Sequence, residues 1–362
     1  MSDKTNPGNF FEDFKLKQQL RHATPRTITT GDVALYTALY GSRFPLQSAD
    51  TLSRSIGLKA APVDDLLAFH VIFGKTVPEI SLNAVANLGY AQCRWFAPVY
   101  PGDTLHTVSG VIGLKENSNK KTGVVYVRSQ GYKNGNDLVL DYVRWVMVKK
   151  RDENAVIAEE HVPPLADVLT PAQLRVPEGT DFGKYDWVLA GSPHGWEDYA
   201  VGEKIDHVDG MTIEEAEHML ATRLYQNTAK VHFDQYRQGQ EKLGRRLIYG
   251  GHVISLARCL SFNGLGNAAF VVGINGGRHV NPTLAGNTIY AWSEVLDKGE
   301  VEGRTDVGLL RIRTVATKDR PATDFPDKDA GGKYPDSVVL DLDYWVAMPR
   351  RPVRTTNTSL LS

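Results

Sequence analysis

The chain of 362 residues has a formal net charge of −1 at pH 7 and a sequence pI near 6.8. This charge argues against nucleic acid and anionic membranes as main partners, and the length predicts two domains of roughly 150 residues each. The sequence contains neither the ~20-residue apolar run of a membrane span nor a signal peptide, so we expect a soluble, cytoplasmic protein.

The cysteine and glycine patterns give no sign of a bound cofactor. Cys93 and Cys259 are isolated from each other and fit neither a zinc signature nor a disulfide framework. The histidine and acidic residues lack metal-ligand spacing. The run GINGG at 273–277 is too irregular for a dinucleotide-binding motif. We therefore expect no metal and no redox cofactor.

An internal repeat organises the chain. FFEDF at 10–14 matches GWEDY at 195–199 with an offset of 185, whereas LDYVRWV at 140–146 matches LDLDYWV at 340–346 with an offset of 200. The second copy is therefore longer by 15 residues, gained within 317–336. This segment is rich in Pro, Gly and Asp, which predicts a surface loop. The loop is either a solvated insertion or a flap over a ligand, and we favour the insertion.

The sequence of each copy predicts the same order of secondary-structure elements. In each, an amphipathic helix and a turn precede a longer buried helix and then strands in which β-branched and aromatic residues alternate with polar ones. The buried helices are predicted at 64–74 and 250–262, and the strands at 103–113, 123–131, 138–148, 287–295, 308–316 and 337–348. Such a sheet must wrap its helix to bury it, so we expect an α+β fold with two units paired through their sheets.

The repeat also sets the expected boundaries. We predict an N-terminal unit at 1–151 and a C-terminal unit at 186–351. The Pro-, Ala- and acid-rich segment 152–185 between them is typical of a semi-extended linker. Residues 352–362 have no periodicity and predict a flexible tail.

A predicted helix at 212–225 leads to the most informative motif. Thr212 and Glu215 have the spacing of a capping box. The predicted apolar stripe consists of Ile213, Ala216, Leu220 and Leu224. The helix is then expected to end just before residues 226–234, with the sequence QNTAKVHFD.

This motif brings together three functional groups. Asn227 supplies an amide, Lys230 a cation and His232 an imidazole, the side chain whose pKa suits proton transfer near neutrality. In the buried helix that follows, Gly250 and Gly251 lie at the start, where free backbone N–H groups favour negative charge. A base, an amide and a helix start together suit the addition of water to an activated double bond.

The order of short motifs along nearly the whole chain resembles a known family. These are NPGNFFEDF, HATPRTIT, LYGSRF, FGKTVPEISLNAVANLGY, YPGDTL, ENSNKKTGVVYVRS and LDYVRWVMVKKRD. Together they resemble the MaoC-like family of enoyl-CoA hydratases, which has a tandem (double) hotdog fold, an antiparallel sheet wrapped around a central helix in each unit. QNTAKVH aligns with the family's G-D-x-N-P-x-H motif, with Asn227 at the aspartate position and His232 at the histidine. Ala229 and Lys230 replace the family's asparagine and proline.

The resemblance implies an acyl-CoA thioester as substrate and, most closely, reversible hydration of mesaconyl-CoA to β-methylmalyl-CoA. Alternatives are a hydratase for another branched dicarboxylyl-CoA such as itaconyl-CoA, a thioesterase, and a non-catalytic acyl-CoA binding protein. We expect His232 to be the general base and Asn227 to orient water. Gly250 matches the family's oxyanion-hole glycine, and Gly251 is expected to assist.

The substrate's free carboxylate calls for a cation, because burying an unpaired anion is costly. We expect Lys230 in this role, with Arg245, Arg246 and Arg278 as rivals. We also expect that exposed sheet edges allow two copies to form a homodimer.

The first copy serves as an internal control. Ser42 and Gln47 replace Asn227 and His232, and Asp64 and Asp65 are expected where the two glycines stand. Since carboxylates would repel an enolate, we expect no working site in this copy, which would instead complete the sheet and form part of the CoA tunnel.

Overall fold

The computed structural model describes residues 4–156 and 159–351, so the predicted flexible tail at 352–362 lies outside the described residues. Within this part of the chain, eleven strands form one antiparallel sheet. The strands are β1 (Gln19–Thr27), β2 (Ala84–Trp95), β3 (Thr104–Glu116), β4 (Thr122–Lys133), β5 (Asp137–Lys149), β6 (Lys204–Asp206), β7 (Met211–Thr212), β8 (Phe270–His279), β9 (Thr288–Glu300), β10 (Val307–Lys318) and β11 (Val338–Pro349). The α+β prediction is confirmed.

Two buried helices lie against this sheet, and other helices connect the strands. The helices are α1 (Thr30–Tyr40), α2 (Pro45–Ser48), α3 (Asp50–Ser55), α4 (Asp65–Lys75), α5 (Trp187–Ala190), α6 (Glu215–Leu224), α7 (Lys230–Phe233), α8 (Gln235–Gln238), α9 (Gly250–Leu260) and α10 (Phe262–Leu265). In α4 and α9 every residue after the first is buried. A helix buried on all sides in this way belongs in a core, as the sequence predicts.

The strand order is symmetric about the centre of the sheet. It reads β1-β3-β4-β5-β2-β8-β11-β10-β9-β6, so each strand of the first copy has a counterpart in the second. The two halves join where β2 pairs with β8, from Tyr90 opposite Gly277 to Arg94 opposite Gly273. The expected pairing of two sheets is therefore present as one continuous sheet.

The two joining strands were absent from the sequence prediction. GINGG, set aside above as an irregular glycine motif, lies inside β8. A Cβ on Gly273 would lie 2.6 Å from Leu174, and one on Gly277 would lie 2.9 Å from Leu342. The glycines thus permit close packing on both faces, at the cost of the alternating pattern by which a strand is recognised.

The helix before the motif differs from its prediction at its start. Thr212 belongs to β7, where its hydroxyl lies 2.7 Å from that of Thr288, and the residue capping α6 is Glu214, whose side chain makes no cap hydrogen bond. The predicted capping box is therefore wrong. Because Thr212 pairs with a strand, the helix begins two residues later than the spacing suggests.

The predicted apolar stripe of α6 is wrong in part. Ala216 and Leu220 are exposed, whereas His218 and Thr222 lie on the buried face. The backbone N–H of Tyr249 donates to Nε2 of His218 at 3.0 Å. A polar side chain faces inward here because it binds the residue that caps α9.

A buried polar network joins the helices of the two copies. His70 Nε2 of α4 and Ser255 Oγ of α9 are 3.0 Å apart, and the Tyr36 hydroxyl donates to the same oxygen at 2.9 Å. The Tyr40 hydroxyl lies 2.8 Å from His252 Nδ1 and accepts from Tyr225 at 2.7 Å. Such a network fixes the helices in one arrangement, since each polar group would lose a buried partner if they shifted.

The described residues of the predicted linker, 152–156 and 159–185, hold little regular structure but pack closely. They contain short 3-10 helices at Pro171–Gln173 and Phe182–Lys184. Leu169, Leu174 and Phe182 are buried in a cluster with Trp345 on the sheet. The segment therefore covers a sheet face while it connects the two copies.

Substitution of Gly74 tests how closely α4 approaches the segment that follows α6. A Cβ at this position would lie 1.8 Å from the Tyr225 carbonyl oxygen and 3.5 Å from the Asn227 nitrogen. We predict that Gly74→Ala lowers the free energy of unfolding by about 1–3 kcal/mol, measured by urea denaturation. The matched control is Gly31→Ala, where the nearest atom would be 3.5 Å away. Equal stability of the two variants would contradict this packing.

Candidate active site

A cavity of about 280 Å³ lies where the two copies meet. The first copy lines it with Phe73, Ser81, Asn87, Tyr90 and Arg144, among others, and the second with Asn227, His232, Tyr249, Gly250 and His279, among others. Ligand sites for drug-sized molecules usually measure ~300–1,000 Å³. This cavity is therefore suited to a small group at the end of a longer ligand.

His232 is held in one tautomer. It lies in α7, with Nδ1 at 2.8 Å from the Leu247 carbonyl oxygen. A carbonyl oxygen only accepts, so Nδ1 holds the proton and Nε2 is left with its lone pair. Burial lowers the pKa of His232 to about 4, and the imidazole is neutral at pH 7. The ring can therefore accept a proton at Nε2.

Asn227 is fixed by its own loop. It is buried, and its Oδ1 accepts from the Ala229 backbone N–H at 3.2 Å. The preceding residue, Gln226, has a left-handed φ of 55°, which turns the chain sharply after α6. With its oxygen engaged, Asn227 can offer amide N–H groups to the cavity as hydrogen-bond donors.

The two predicted glycines differ in position. Gly250 lines the cavity and begins α9, and the capping Tyr249 makes no side-chain cap hydrogen bond. A Cβ on Gly250 would overlap the ring of His279 at 2.3 Å. Gly251 does not line the cavity, and a Cβ there would meet the rings of Tyr249 and His70. The first N–H groups of the helix are therefore accessible beside Gly250, while Gly251 faces the buried polar network.

None of the four predicted cations lines the cavity. Lys230 Nζ donates to Asn83 Oδ1 at 3.2 Å, and burial together with the nearby Arg237 and Lys149 lowers its pKa. Its position beside the cavity does not fit the predicted pairing with a buried carboxylate.

The three arginines proposed as rivals point elsewhere for identifiable reasons. Arg245 and Arg246 form ion pairs with Glu215 at the start of α6. Arg278 is exposed, because side chains alternate along β8 and its neighbour His279 faces the cavity. The prediction of a carboxylate partner among these residues does not agree with the structure.

Among the polar groups of the cavity that sequence reasoning missed are His279, Asn87 and Arg144. Burial lowers the pKa of His279 to about 4, and its Nε2 lies 3.4 Å from the Tyr90 hydroxyl. A signal for Arg144 was available, since alternation along β5 places it on the same face as the buried Tyr142 and Val146. An arginine on an apolar face of a strand is rare without a functional reason.

The corresponding place in the first copy is filled. A cavity of about 10 Å³ is lined there by Ser42, Gln47 and Asp64, among others. Gln47 Nε2 donates to the Ala269 carbonyl at 2.9 Å. The space beside these residues is therefore too small for an acyl group.

The first residues of the two buried helices show that the expected alignment is shifted by one residue. Since α4 begins at Asp65 and α9 at Gly250, Asp65 corresponds to Gly250, and Asp64 corresponds to the capping Tyr249. Asp65 accepts a hydrogen bond from the Val271 backbone N–H at 2.8 Å, so this carboxyl group holds the β8 strand of the other copy.

The long loop at 317–336 does not cover the cavity, as none of its residues belongs to the lining. Trp292 Nε1 donates to the Pro326 carbonyl at 3.1 Å, and Arg313 pairs with Asp327. The loop is therefore packed on the sheet, and the flap interpretation finds no support.

Within residues 4–156 and 159–351, no helix combines the length and the apolar composition needed to cross a membrane. In the same part of the chain, no group of three or more His, Cys, Asp and Glu side chains could hold a metal ion.

The fold and cavity define a double-hotdog protein of the MaoC-like class. A crystal structure of a MaoC domain dehydratase from Chloroflexus aurantiacus is 62% identical, with a TM-score of 0.95, and covers 97% of this chain and 100% of that one. A Mycobacterium tuberculosis protein with a double hotdog fold has a TM-score of 0.72 at 24% identity, covering 94% of this chain and 98% of its own. The fold predicted from the resemblance is confirmed.

Sequence comparisons define the family more narrowly. The family model of mesaconyl-CoA hydratase matches residues 1–325. A β-methylmalyl-CoA dehydratase from Chloroflexus aurantiacus is 63% identical over 351 residues, which is 97% of this chain and 100% of the relative. A mesaconyl-CoA hydratase from Cereibacter sphaeroides is 59% identical over 347 residues, 96% of this chain and 100% of the relative. The chain belongs to the mesaconyl-CoA hydratase family.

Because six histidines are buried, we predict that the folded protein loses much of its stability in acid. Burial lowers the pKa values of His70, His207, His218, His232, His252 and His279 to between about 2 and about 4. Below pH ~6.5 the unfolded chain binds protons that the folded chain does not, so stability should fall by about 1.4 kcal/mol per pH unit for each histidine until the folded pKa is reached. Asp64 and Asp65 act in the opposite direction, because burial raises their pKa values, but they are fewer.

Thermal unfolding at pH 7.5, 6.0 and 5.0 measures this effect, and we expect the melting temperature to fall steeply below pH 6.5. His252→Asn should reduce the steepness, whereas the control His194→Asn, at an exposed position, should not. A melting temperature that stays constant down to pH 5 would contradict the buried neutral state of these rings.

Proposed function

We propose that this chain catalyses the reversible addition of water to the double bond of mesaconyl-CoA, which gives β-methylmalyl-CoA. Membership of the family and the 63% and 59% identical relatives support this substrate. The observation that carries the chemistry is that His232, Asn227 and Gly250 line one cavity, with His232 Nε2 unprotonated.

In the proposed mechanism, His232 acts as the general base without a carboxylate partner. Nε2 removes a proton from water, and the water oxygen forms a bond to the β-carbon of the enoyl thioester. The electron pair of the double bond moves toward the thioester oxygen, and the resulting enolate then takes a proton at the α-carbon, returned by the imidazolium. In dehydration the same ring protonates the leaving hydroxyl group.

The low pKa of His232 is compatible with this role. Burial disfavours the imidazolium in the empty site, but the enolate places a negative charge in the same cavity. Opposite charges formed together in a region of low dielectric constant stabilise one another. The imidazolium is thus stabilised mainly in the transition state, which is where stabilisation accelerates the reaction.

Gly250 and Asn227 complete the proposed site. The first N–H groups of α9 would donate to the thioester oxygen as charge develops on it, aided by the dipole of this 11-residue helix. The absence of a Cβ on Gly250 leaves room for the thioester between the helix and His279. Asn227 would donate from its amide to the water oxygen, a role that needs no ionisation.

We place the CoA part of the substrate outside the cavity. Lys230, Lys149 and Arg237 lie close to one another beside it, and this arrangement suits the phosphates of CoA. We also propose a cytosolic location and pairing of two copies through a sheet edge, both of which rest on the sequence alone.

The proposed reaction can be tested with a panel of enoyl-CoA thioesters. We expect mesaconyl-CoA to lose its conjugated absorbance, to gain the mass of one water and to release no thiol. His232→Ala should lower kcat/KM by at least 100-fold, because positioned acid–base catalysis contributes ~10²–10⁴-fold. Gln47→Ala, the matched change in the first copy, should retain activity within about twofold.

Other outcomes would point to the alternatives. Preferential turnover of itaconyl-CoA would change the substrate, thiol release would indicate a thioesterase, and tight binding without turnover would indicate a binding protein. If His279→Ala abolished activity while His232→Ala preserved it, the assignment of the base would be wrong.

A further inference from the structure

Arg144 is a buried cation at the wall of the cavity. It projects from β5 and has an exposed fraction of 0%. Its Nη2 donates to the hydroxyls of Thr76 at 2.8 Å and Ser81 at 3.3 Å, and its guanidinium lies 4.2 Å from the ring centre of Phe73. These three contacts fix the plane of the guanidinium and leave part of it free.

The free part has no partner in the protein. Nε and Nη1 of Arg144 are buried and make no hydrogen bond to any residue within 4–156 and 159–351. None of the residues lining the cavity is Asp or Glu. A buried charge without a counter-ion is strongly unfavourable, so the protein retains at this place a group that an anionic ligand would satisfy.

A second unpartnered group lies on the neighbouring strand. Asn87 of β2 also lines the cavity, and both polar atoms of its amide are buried without a hydrogen-bond partner in the described parts of the chain. In the register of β2 and β5, Tyr90 lies opposite Arg144 and Asn87 opposite Val146. Arg144 and Asn87 therefore line the same cavity wall, and each has buried polar atoms that lack a partner.

This cation belongs to the first copy alone. With Trp145 aligned on Trp345, Arg144 corresponds to Tyr344, whose hydroxyl lies 3.0 Å from that of Thr314. The equivalent position in the second copy is thus a neutral side chain with its own partner. The arginine occurs only where a strand of the first copy faces the catalytic groups of the second.

We propose that Arg144, assisted by Asn87, binds the free carboxylate of the substrate and makes the site selective for dicarboxylyl thioesters. This inference rests on the proposed function for the identity of the substrate. Nε and Nη1 lie on different edges of the guanidinium, and each remains a charged donor that a carboxylate oxygen can accept from. Arg144 thus takes the role first expected of Lys230.

Binding at this point would also determine where water adds. In mesaconyl-CoA the carboxylate is bonded to the carbon β to the thioester. With the thioester oxygen at the start of α9 and the carboxylate at Arg144, the acyl group is held at both ends. The β-carbon is then presented to His232 in a fixed position, which reduces the entropy lost on reaching the transition state.

The test compares mesaconyl-CoA with tiglyl-CoA, in which a methyl group replaces the carboxylate. For Arg144→Met we expect kcat/KM with mesaconyl-CoA to fall roughly 30- to 1,000-fold, since one partner of a buried charge pair is lost. Hydration of tiglyl-CoA should remain within about threefold or improve. The control is Lys230→Met, a neighbouring cation outside the cavity, which should affect both substrates equally.

Two further variants keep the test decisive if Arg144→Met fails to fold. Arg144→Lys keeps the charge but loses the planar guanidinium with its several donors, and Asn87→Asp adds a negative charge beside the bound carboxylate. Both should lower the ratio of mesaconyl-CoA to tiglyl-CoA efficiency at least tenfold. An unchanged ratio in folded variants would overturn the proposal.

Calorimetric binding of saturated thioesters separates this proposal from the proposed reaction. Methylsuccinyl-CoA, which has the carboxylate, should bind the wild-type protein better than 2-methylbutyryl-CoA, which lacks it, and Arg144→Met should remove the difference. If the wild-type protein shows this preference but does not hydrate mesaconyl-CoA, the proposed function is wrong and the carboxylate site stands. If it hydrates mesaconyl-CoA and shows no preference, the carboxylate site is wrong.

Discussion

The pairing of β2 with β8 is the contact on which the site depends. It joins two sheets into one and brings α4 and α9, both fully buried after their first residue, side by side beneath it. The cavity lies at this junction, with walls from both copies. Neither copy contains the site alone, because the first provides Arg144 and Asn87 while the second provides His232, Asn227 and Gly250.

Low dielectric constant governs the chemistry of this junction. Burial keeps His232 and His279 neutral, and the Leu247 carbonyl selects the tautomer of His232 that can accept a proton. In the same environment Arg144 remains without a counter-ion among the described residues. Charges that would be screened in water act strongly here. In the proposed mechanism, the enolate and the substrate carboxylate would meet one fixed cation and one imidazolium formed during the reaction.

Much of this organisation could be read from the sequence. The repeat, the buried helices and six of the strands were predicted, because periodicity and internal similarity report packing directly. Of the two joining strands, β8 was missed since Gly273 and Gly277 remove the alternating pattern. The inward face of α6 was mispredicted because His218 binds the backbone of Tyr249, a tertiary contact that no helical pattern encodes.

The site residues divide in the same way. Asn227, His232 and Gly250 were predicted because they are close in sequence and match a motif, and all three line the cavity. Arg144 and His279 were missed because they come from distant strands and only the folded sheet brings them to the cavity. Position in the motif favoured Lys230 as the carboxylate partner, whereas the structure shows that a side chain beside a cavity need not face into it.

A crystal structure of the wild-type protein with methylsuccinyl-CoA bound would test the shared site most directly. The account predicts that the acyl group occupies the cavity between the copies, with its carboxylate within hydrogen-bond distance of the Arg144 guanidinium. It also predicts the thioester oxygen at the Gly250 end of α9 and the β-carbon facing His232. An acyl group bound beside Ser42 and Gln47, or one with its carboxylate turned away from Arg144, would contradict it.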